Sequence, residues 1–400
     1  MFSYLGHNTR WLALSYLLWG IGEGLWLYVQ PLYIAGLGAD PAQIGVVMGV
    51  MALVRVFVNL PAGWLADRFE ARRVMLPGWF LGVAGVALIA LAPDWRWLIP
   101  AFAVYGLSGY GVPVSAAYAN RVVEMERETH PTQSFNRVLT TLYAAYSAGL
   151  IVSPAVGGWL GAALGLRPVF FISAAWFALS VLAVLRTRPA PAVARQPGPG
   201  YSGLLRLRWL MLAALPVALT FVAMALVAPT TGLTAKFMED VRGFDVATIG
   251  ALGSINALGM SLLNLALGRD ANALRAFLAA VALIGVGAGL FLLSDDLGLV
   301  GVGYFVAGSV MAARPLVESA IVQRIRADQR GVVLAAVESI FSLGTAAGTW
   351  TAGWLYAGLG PQAPFEAALI VLPVTGALCW LALRVPRGVR AAAPATPSAD

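Results

Sequence analysis

The sequence predicts an all-α, polytopic membrane protein with twelve transmembrane helices arranged as two pseudo-symmetric six-helix bundles. Three observations carry that expectation: the composition, the spacing of apolar runs, and a repeat between the two halves. Sixty per cent of the 400 residues are hydrophobic and 11% are charged, with a mean hydropathy of +0.79. A soluble domain carries about a quarter charged residues, so most of this chain must lie in lipid. The 44 glycines and 23 prolines agree, because bilayer helices tolerate both where neighbours pack closely and re-satisfy freed backbone groups.

Charged and turn-rich breaks separate apolar runs at 10–35, 42–66, 74–93, 97–119, 138–163 and 168–186. Six more follow at 209–234, 247–268, 273–294, 297–322, 332–358 and 365–384. Each is near the ~20 residues that a spanning helix needs. The one long polar connection, 187–208, carries Pro189, Pro191, Pro197 and Pro199 among glycine and arginine. It divides an N-terminal bundle (1–186) from a C-terminal bundle (209–385), and 386–400 reads as a disordered tail. The first apolar run is not followed by a small-residue cleavage site, so it reads as a retained span.

Basic residues mark cytoplasmic loops. With the N-terminus inside, 20 of the 26 lysines and arginines fall in inside segments. Arg96, Arg167, Lys236 and Arg242 fall outside, and Arg55 and Arg314 lie within spans. Both termini are therefore expected in the cytoplasm, with the chain multi-pass in the cell (inner or plasma) membrane. The formal charge of +7 is topology on this reading, and nucleic acid is not an expected partner.

The halves match each other in three places. Gly38, Asp40, Ile44, Gly45, Leu53, Asn59 and Gly63 align with Gly243, Asp245, Ile249, Gly250, Leu258, Asn264 and Gly268. Gly149, Gly158, Trp159 and Leu160 align with Gly344, Gly353, Trp354 and Leu355, and Gly106 and Pro113 with Gly308 and Pro315. Parallel six-helix repeats joined by a linker are a transporter plan, with the substrate site between the halves near the bilayer midplane.

The loop between spans two and three, GWLADRFEARRVML at 63–76, resembles the signature loop of the major facilitator superfamily (MFS). Gly63, Leu65, Ala66, Asp67, Arg68, Arg72 and Arg73 are in place, while Glu70 and Ala71 depart from the pattern. The resemblance implies a conformational latch of Gly63, Asp67, Arg68, Arg72 and Arg73, in which charge-assisted pairing holds one of two rocking states. Span five is similar to a packing motif associated with proton-coupled drug and metabolite exporters in that family. It carries Gly149, Ser153, Pro154, Gly157 and Gly158, with Ser153 replacing a glycine. Span four departs again, with Phe102 where those exporters usually carry an arginine.

Ionisable residues inside spans are the candidate functional groups. A charge at the centre of a spanning helix costs about 2.5–3.5 kcal/mol, so it usually faces a cavity or a partner. Glu23 is central in span one between Gly20, Gly22 and Gly24, and Arg55 is central in span two. They are candidates for proton coupling, and a Glu23–Arg55 ion pair is one arrangement the sequence allows. In the second half, Arg314 can pair with Glu318 one turn on or with Glu338 on span eleven. A purely structural role is open for both clusters.

Substrate contacts are expected from Trp19, Glu23, Trp26, Gln30, Arg55, Asn59, Tyr110, Tyr143, Asn256, Arg314 and Glu338. Tyr105, Tyr146, Asn264 and Tyr304 are further polar-tipped groups in apolar runs. There is no phosphate-binding loop and no nucleophile–base pair. His7, His130 and the lone Cys379 form no metal cluster. No catalytic residue, metal or cofactor is therefore expected, and the protein is not expected to be an enzyme.

The expected function is secondary active transport by alternating access, with proton-coupled efflux of a hydrophobic or amphipathic small molecule foremost. Its partners are then the substrate, protons and the bilayer, and the chain is expected to be monomeric. Proton-coupled uptake or exchange of a small polar solute (a sugar or organic anion), lipid or lysolipid translocation, and a non-transporting membrane receptor remain open.

Overall fold

A computed structural model describes residues 5–126, 134–190, 208–323 and 330–384. Most of the expected linker and all of the expected tail lie outside these residues, as does His130. The described residues form sixteen α-helices. Nine segments are individually long and apolar enough to cross a membrane, or ten if one bent pair counts as a single span. Adding the apolar Ala213–Val227 and the long α15 (Arg330–Leu359) gives twelve crossings. Glu338 and a series of glycines and threonines make α15 the more polar of the long helices.

The N-terminal bundle comprises α1 (His7–Leu27) with α2 (Gln30–Gly36), α3 (Pro41–Arg68), α4 (Ala71–Leu91), α5 (Trp95–Leu107) with α6 (Gly111–Met125), α7 (Phe135–Leu164) and α8 (Leu166–Leu185). The C-terminal bundle follows the same order. It comprises α9 (Arg208–Val227) with α10 (Thr234–Asp240), α11 (Val246–Leu267), α12 (Ala273–Leu293), α13 (Leu297–Ala307) with α14 (Val310–Val322), α15, and α16 (Ala363–Leu383). An even number of crossings among the described residues puts the start of α1 and the end of α16 on one side, here called the termini face; the other is the far face.

Four of the apolar runs are not continuous helices. Span one bends by 50° between α1 and α2, next to Pro31, which has no N–H to continue the ladder. Span seven breaks over 228–233, where a side chain on Gly232 would lie within 3.1 Å of three carbonyl oxygens of the preceding turn. Span four breaks at the 3-10 turn Ser108–Tyr110 and span ten at Gly308–Ser309. These two breaks fall between the repeat-matched pairs Gly106/Pro113 and Gly308/Pro315. Hydropathy does not register them because each break is short and lies within a longer apolar run.

Other repeat positions have equally local explanations. Asp40 and Asp245 cap α3 and α11: each carboxylate accepts the backbone N–H three residues on, at 2.8 Å. Gln43 completes a capping box at the first. Replacing either aspartate with alanine is expected to cost about 1 kcal/mol of stability, read as a lower thermal midpoint of the purified protein. The Thr248 hydroxyl and N–H hold the Asp245 carboxyl below its usual value, so its capping contribution is present at neutral pH and is lost as pH falls below 3.8.

Candidate functional site

Glu23 is the hub of the N-terminal bundle. Its side chain is buried, and each carboxylate oxygen accepts one tyrosine hydroxyl at 2.8 Å, Tyr105 from span four and Tyr146 from span five. The flanking glycines make this geometry possible. A side chain on Gly20 would sit 2.2 Å from the Tyr146 carbonyl oxygen, and one on Gly24 would sit 2.0 Å from Ser153 Oγ. Spans one and five thus touch backbone to backbone, which brings Tyr146 within reach of Glu23. The span-five motif supplies the other side of that seam: side chains on Gly149 and Gly157 would collide with the span-one backbone at Ile21 and Leu25.

Arg55 does not form the ion pair that the sequence allows. Both Glu23 oxygens are engaged by tyrosines, and the described ion pairs include none between Glu23 and Arg55. The side chain instead passes the span-four break, where a side chain at Gly109 would lie 3.0 Å from its Cγ and Nε. Its Nε is buried without a hydrogen-bond partner. It lies within electrostatic range of both Tyr105 and Tyr146. One carboxylate, one arginine and two tyrosines from spans one, two, four and five therefore come together inside the N-terminal bundle.

The second-half cluster forms as an inter-helix network. Arg314 on α14 pairs closely with Glu338 on α15, contacts Glu318 at 3.6 Å, and lies over the Phe341 ring at 5.4 Å. The Arg314 and Glu338 side chains are 39% and 28% exposed, so the cluster is only partly buried. Tyr143, from the other half, is within electrostatic range of all three charges and is itself 49% exposed. Replacing Arg314 with Gln is expected to destabilise the fold by leaving two carboxylates uncompensated, and adding Glu338→Gln to restore part of the loss. A double-mutant cycle of thermal midpoints measures that coupling.

On the far face the halves are sealed together. Two pairs of helices cross at glycine: α3 meets α15 where a side chain on Gly45 would lie 3.0 Å from the Gly353 Cα. α7 meets α11 where one on Gly158 would lie 2.7 Å from the Gly250 Cα. The repeat aligns Gly45 with Gly250 and Gly158 with Gly353, so the two seams are symmetry equivalents. Hydrogen bonds also join the halves: Gln30 Nε2 donates to the Thr230 carbonyl oxygen at 3.0 Å, Tyr28 to Asn256 at 2.9 Å, and the Ala155 N–H to Ser254 at 3.0 Å. The two glycine seams and the Gln30 and Ala155 bonds lie toward the far face, and the Tyr28 hydroxyl, between Asn256 and Met260, joins the halves nearer mid-span.

The remaining predicted contacts are distributed accordingly. Glu23 and Arg55 lie inside the N-terminal bundle, and Tyr143, Arg314 and Glu338 are partly exposed where spans five, ten and eleven approach one another. Trp26 is fully enclosed among Phe102, Tyr105 and Phe170, and Trp19 stacks on Phe177 at 4.3 Å. Tyr110 is partly buried beside Gly78. Gln30 and Asn256 are buried where the halves join, Asn256 also donating to the Tyr304 carbonyl oxygen. The side chain of Asn59 lies outside the described set.

So do those of Gly63 and Asp67, although α3 runs through both to Arg68. Glu70, where the sequence departs from the signature loop, is the N-cap of α4: it accepts the N–H groups of Arg72 and Arg73 and also that of Ala190. Arg72 donates to the Leu185 carbonyl oxygen, and Arg73 is almost fully exposed. Sequence reasoning missed Tyr28 and the pairing of Tyr105 and Tyr146 with Glu23, because contacts between helices leave no spacing signal along the chain.

Comparison with known proteins shows the family and the fold. A family description, Major Facilitator Superfamily, matches residues 12–269 and 217–399. Multidrug resistance protein MdtG of Proteus mirabilis is 32% identical over 181 residues, which is 42% of this chain and 43% of that protein. Multidrug resistance protein B homolog of Mycobacterium tuberculosis is 31% identical over 181 residues, 44% of this chain and 32% of that one. Each match spans less than half the length of the relative. Among solved structures, a variant of the nucleoside transporter NupG superposes with a TM-score of 0.79 at 16% identity, covering 94% of this chain and all of the other. The human organic anion transporter MFSD10 does so at 0.66 and 17%, covering 93% and 99%. At these identities the structural matches establish the fold alone.

Proposed function

The chain belongs to the major facilitator superfamily of membrane transporters, and from that premise we propose that it exports a hydrophobic or amphipathic small molecule in exchange for protons. The observation that carries this reading is the pairing of Glu23 with two tyrosine hydroxyls rather than with Arg55. A carboxylate held by an arginine has its charge compensated in place. One held by two hydroxyls can take up a proton with a single reorganisation: the new O–H donates to a tyrosine oxygen that had been donating to it. Because the two tyrosines stand on spans four and five, protonation of span one alters contacts to both, which links proton occupancy to helix position.

Direction is supported by the span-five motif and by the multidrug resistance names of the relatives. With basic residues marking the cytoplasm, the termini face is cytoplasmic, both termini are inside, and the sealed far face makes this an inward-open state. The latch of Asp67 with the arginines of the same loop belongs to the opposite seam and acts when that mouth closes. The boundaries 1–186, 187–208 and 209–385 then divide the two rocking bodies and their linker, and the substrate enters between them.

Arg55 favours a second reading. With Glu23 ionised the centre is neutral, and with Glu23 protonated it carries one net positive charge. An organic anion binding at Arg55 would restore neutrality only together with the proton, so anion and proton would move the same way. Reconstituted vesicles with an imposed pH gradient separate the two: exchange accumulates substrate against the proton flow, and co-transport accumulates it along the flow. Equal rates with and without the gradient would remove proton coupling altogether.

A further inference from the structure

The start of α1 and the end of α8 meet on the termini face, away from the transport path. His7, Arg10, Trp11 and Leu14 are spaced i, i+3, i+4, i+7 and so share one face of α1. His7, Arg10 and Leu14 are exposed and Trp11 is partly so. With Leu5 they line a groove of about 530 Å³. Arg186, the C-cap residue of α8, lies beside two of these residues: its guanidinium is over the Trp11 ring at 5.9 Å, and its carbonyl oxygen is 3.1 Å from His7 Nε2. Arg10 Nε donates to the Leu5 carbonyl oxygen at 2.7 Å, which holds that guanidinium at the rim. Glu126, which accepts the Asn8 N–H, is on the bundle side of α1, where Asn8 is 1% exposed. The described residues that line the groove are basic, aromatic and apolar.

The order of these groups along the helix matters. At about 1.5 Å per residue, the stripe descends from His7 and Arg10 through Trp11 to Leu14, from cationic to aromatic to aliphatic over roughly 10 Å. Leu182 and Leu185 near the end of α8 are also exposed. That gradient matches a phospholipid entering from the same leaflet: phosphate at the guanidinium groups, glycerol at the indole, acyl chain along the leucines. We propose that this groove is a binding site for one anionic phospholipid of the termini-side leaflet, with Arg10 and Arg186 holding its phosphate and Trp11 its glycerol region. The proposal does not depend on the transported substrate or on Glu23.

The test uses the full chain, purified and delipidated in detergent, and titrates it with short-chain phosphatidylglycerol, short-chain phosphatidylcholine and inorganic phosphate. Native mass spectrometry counts retained lipid and thermal shift reports its affinity. Phosphatidylglycerol is expected to bind and stabilise, and phosphatidylcholine and phosphate alone to do so far more weakly. The double variant Arg10→Gln/Arg186→Gln should lose about thirtyfold in phosphatidylglycerol affinity, while Arg10→Lys/Arg186→Lys should stay within a few-fold of the native protein. Should the glutamine variant not fold, Trp11→Ala replaces it with the same direction of effect. Equal binding of the two lipids, inorganic phosphate matching phosphatidylglycerol, or an unchanged affinity in the glutamine variant would each overturn the proposal.

Discussion

Replacing Glu23 with Gln is expected to reduce proton-driven substrate accumulation in vesicles to the level of protein-free controls. Substrate binding in detergent should survive. Glutamine keeps the size of the side chain and can accept one tyrosine hydroxyl, but it cannot gain or lose a proton. The other tyrosine then meets the amide NH2, a donor to which its oxygen can act only as acceptor. The result is a folded protein that binds and cannot couple. Tyr105→Phe and Tyr146→Phe should fall between the two, because each leaves one buried carboxylate oxygen without a donor, at about 1–3 kcal/mol. Full coupling in Glu23→Gln would show that the carboxylate is structural.

The far-face seams are expected to give a comparably large effect by a different route. A side chain at Gly158 would lie 2.7 Å from the Gly250 Cα, and one at Gly250 would lie 2.6 Å from the Gly158 Cα. Both contacts are with backbone, which cannot turn aside. Gly158→Leu or Gly250→Leu should therefore prevent the seal from closing and hold the protein open toward the far face, with transport lost and the fold intact. The symmetry-equivalent Gly45→Leu and Gly353→Leu should do the same. Accessibility of a cysteine placed beside the seam reports it, and the native Cys379 is buried and silent. By contrast, Gly36→Leu, where the structure leaves open space, should transport normally. A sealed far face in Gly158→Leu would mean that the seam does not govern opening.

The order and extent of the spans were legible in the sequence because hydropathy is a one-dimensional signal, and the repeat added the architecture. The matched glycines say more in three dimensions than in one. Gly45 aligns with Gly250, yet it packs against Gly353, so alignment found the equivalent positions and the structure found the partners. Glu23 was legible because a carboxylate in an apolar run is conspicuous. Its partners were not, since Tyr105 and Tyr146 approach from two other helices through gaps left by glycines. The same limit explains Trp26 and Asn256: each reads as a polar-tipped group in a span, and only packing shows that one is enclosed by aromatics and the other staples the halves. The breaks in spans one, four, seven and ten escape hydropathy because a broken helix and a continuous one have the same composition.

Proton exchange at Glu23 is tested most directly by counting protons on substrate binding. An amphipathic compound that stabilises the purified protein in a thermal-shift screen is added to it in weakly buffered detergent solution containing a pH indicator. Release of about one proton per compound bound, absent in Glu23→Gln, is the expected result for exchange at this site. Uptake of a proton would instead favour joint movement of an anion and a proton through Arg55. No proton change in the native protein would contradict coupling at Glu23 in either form.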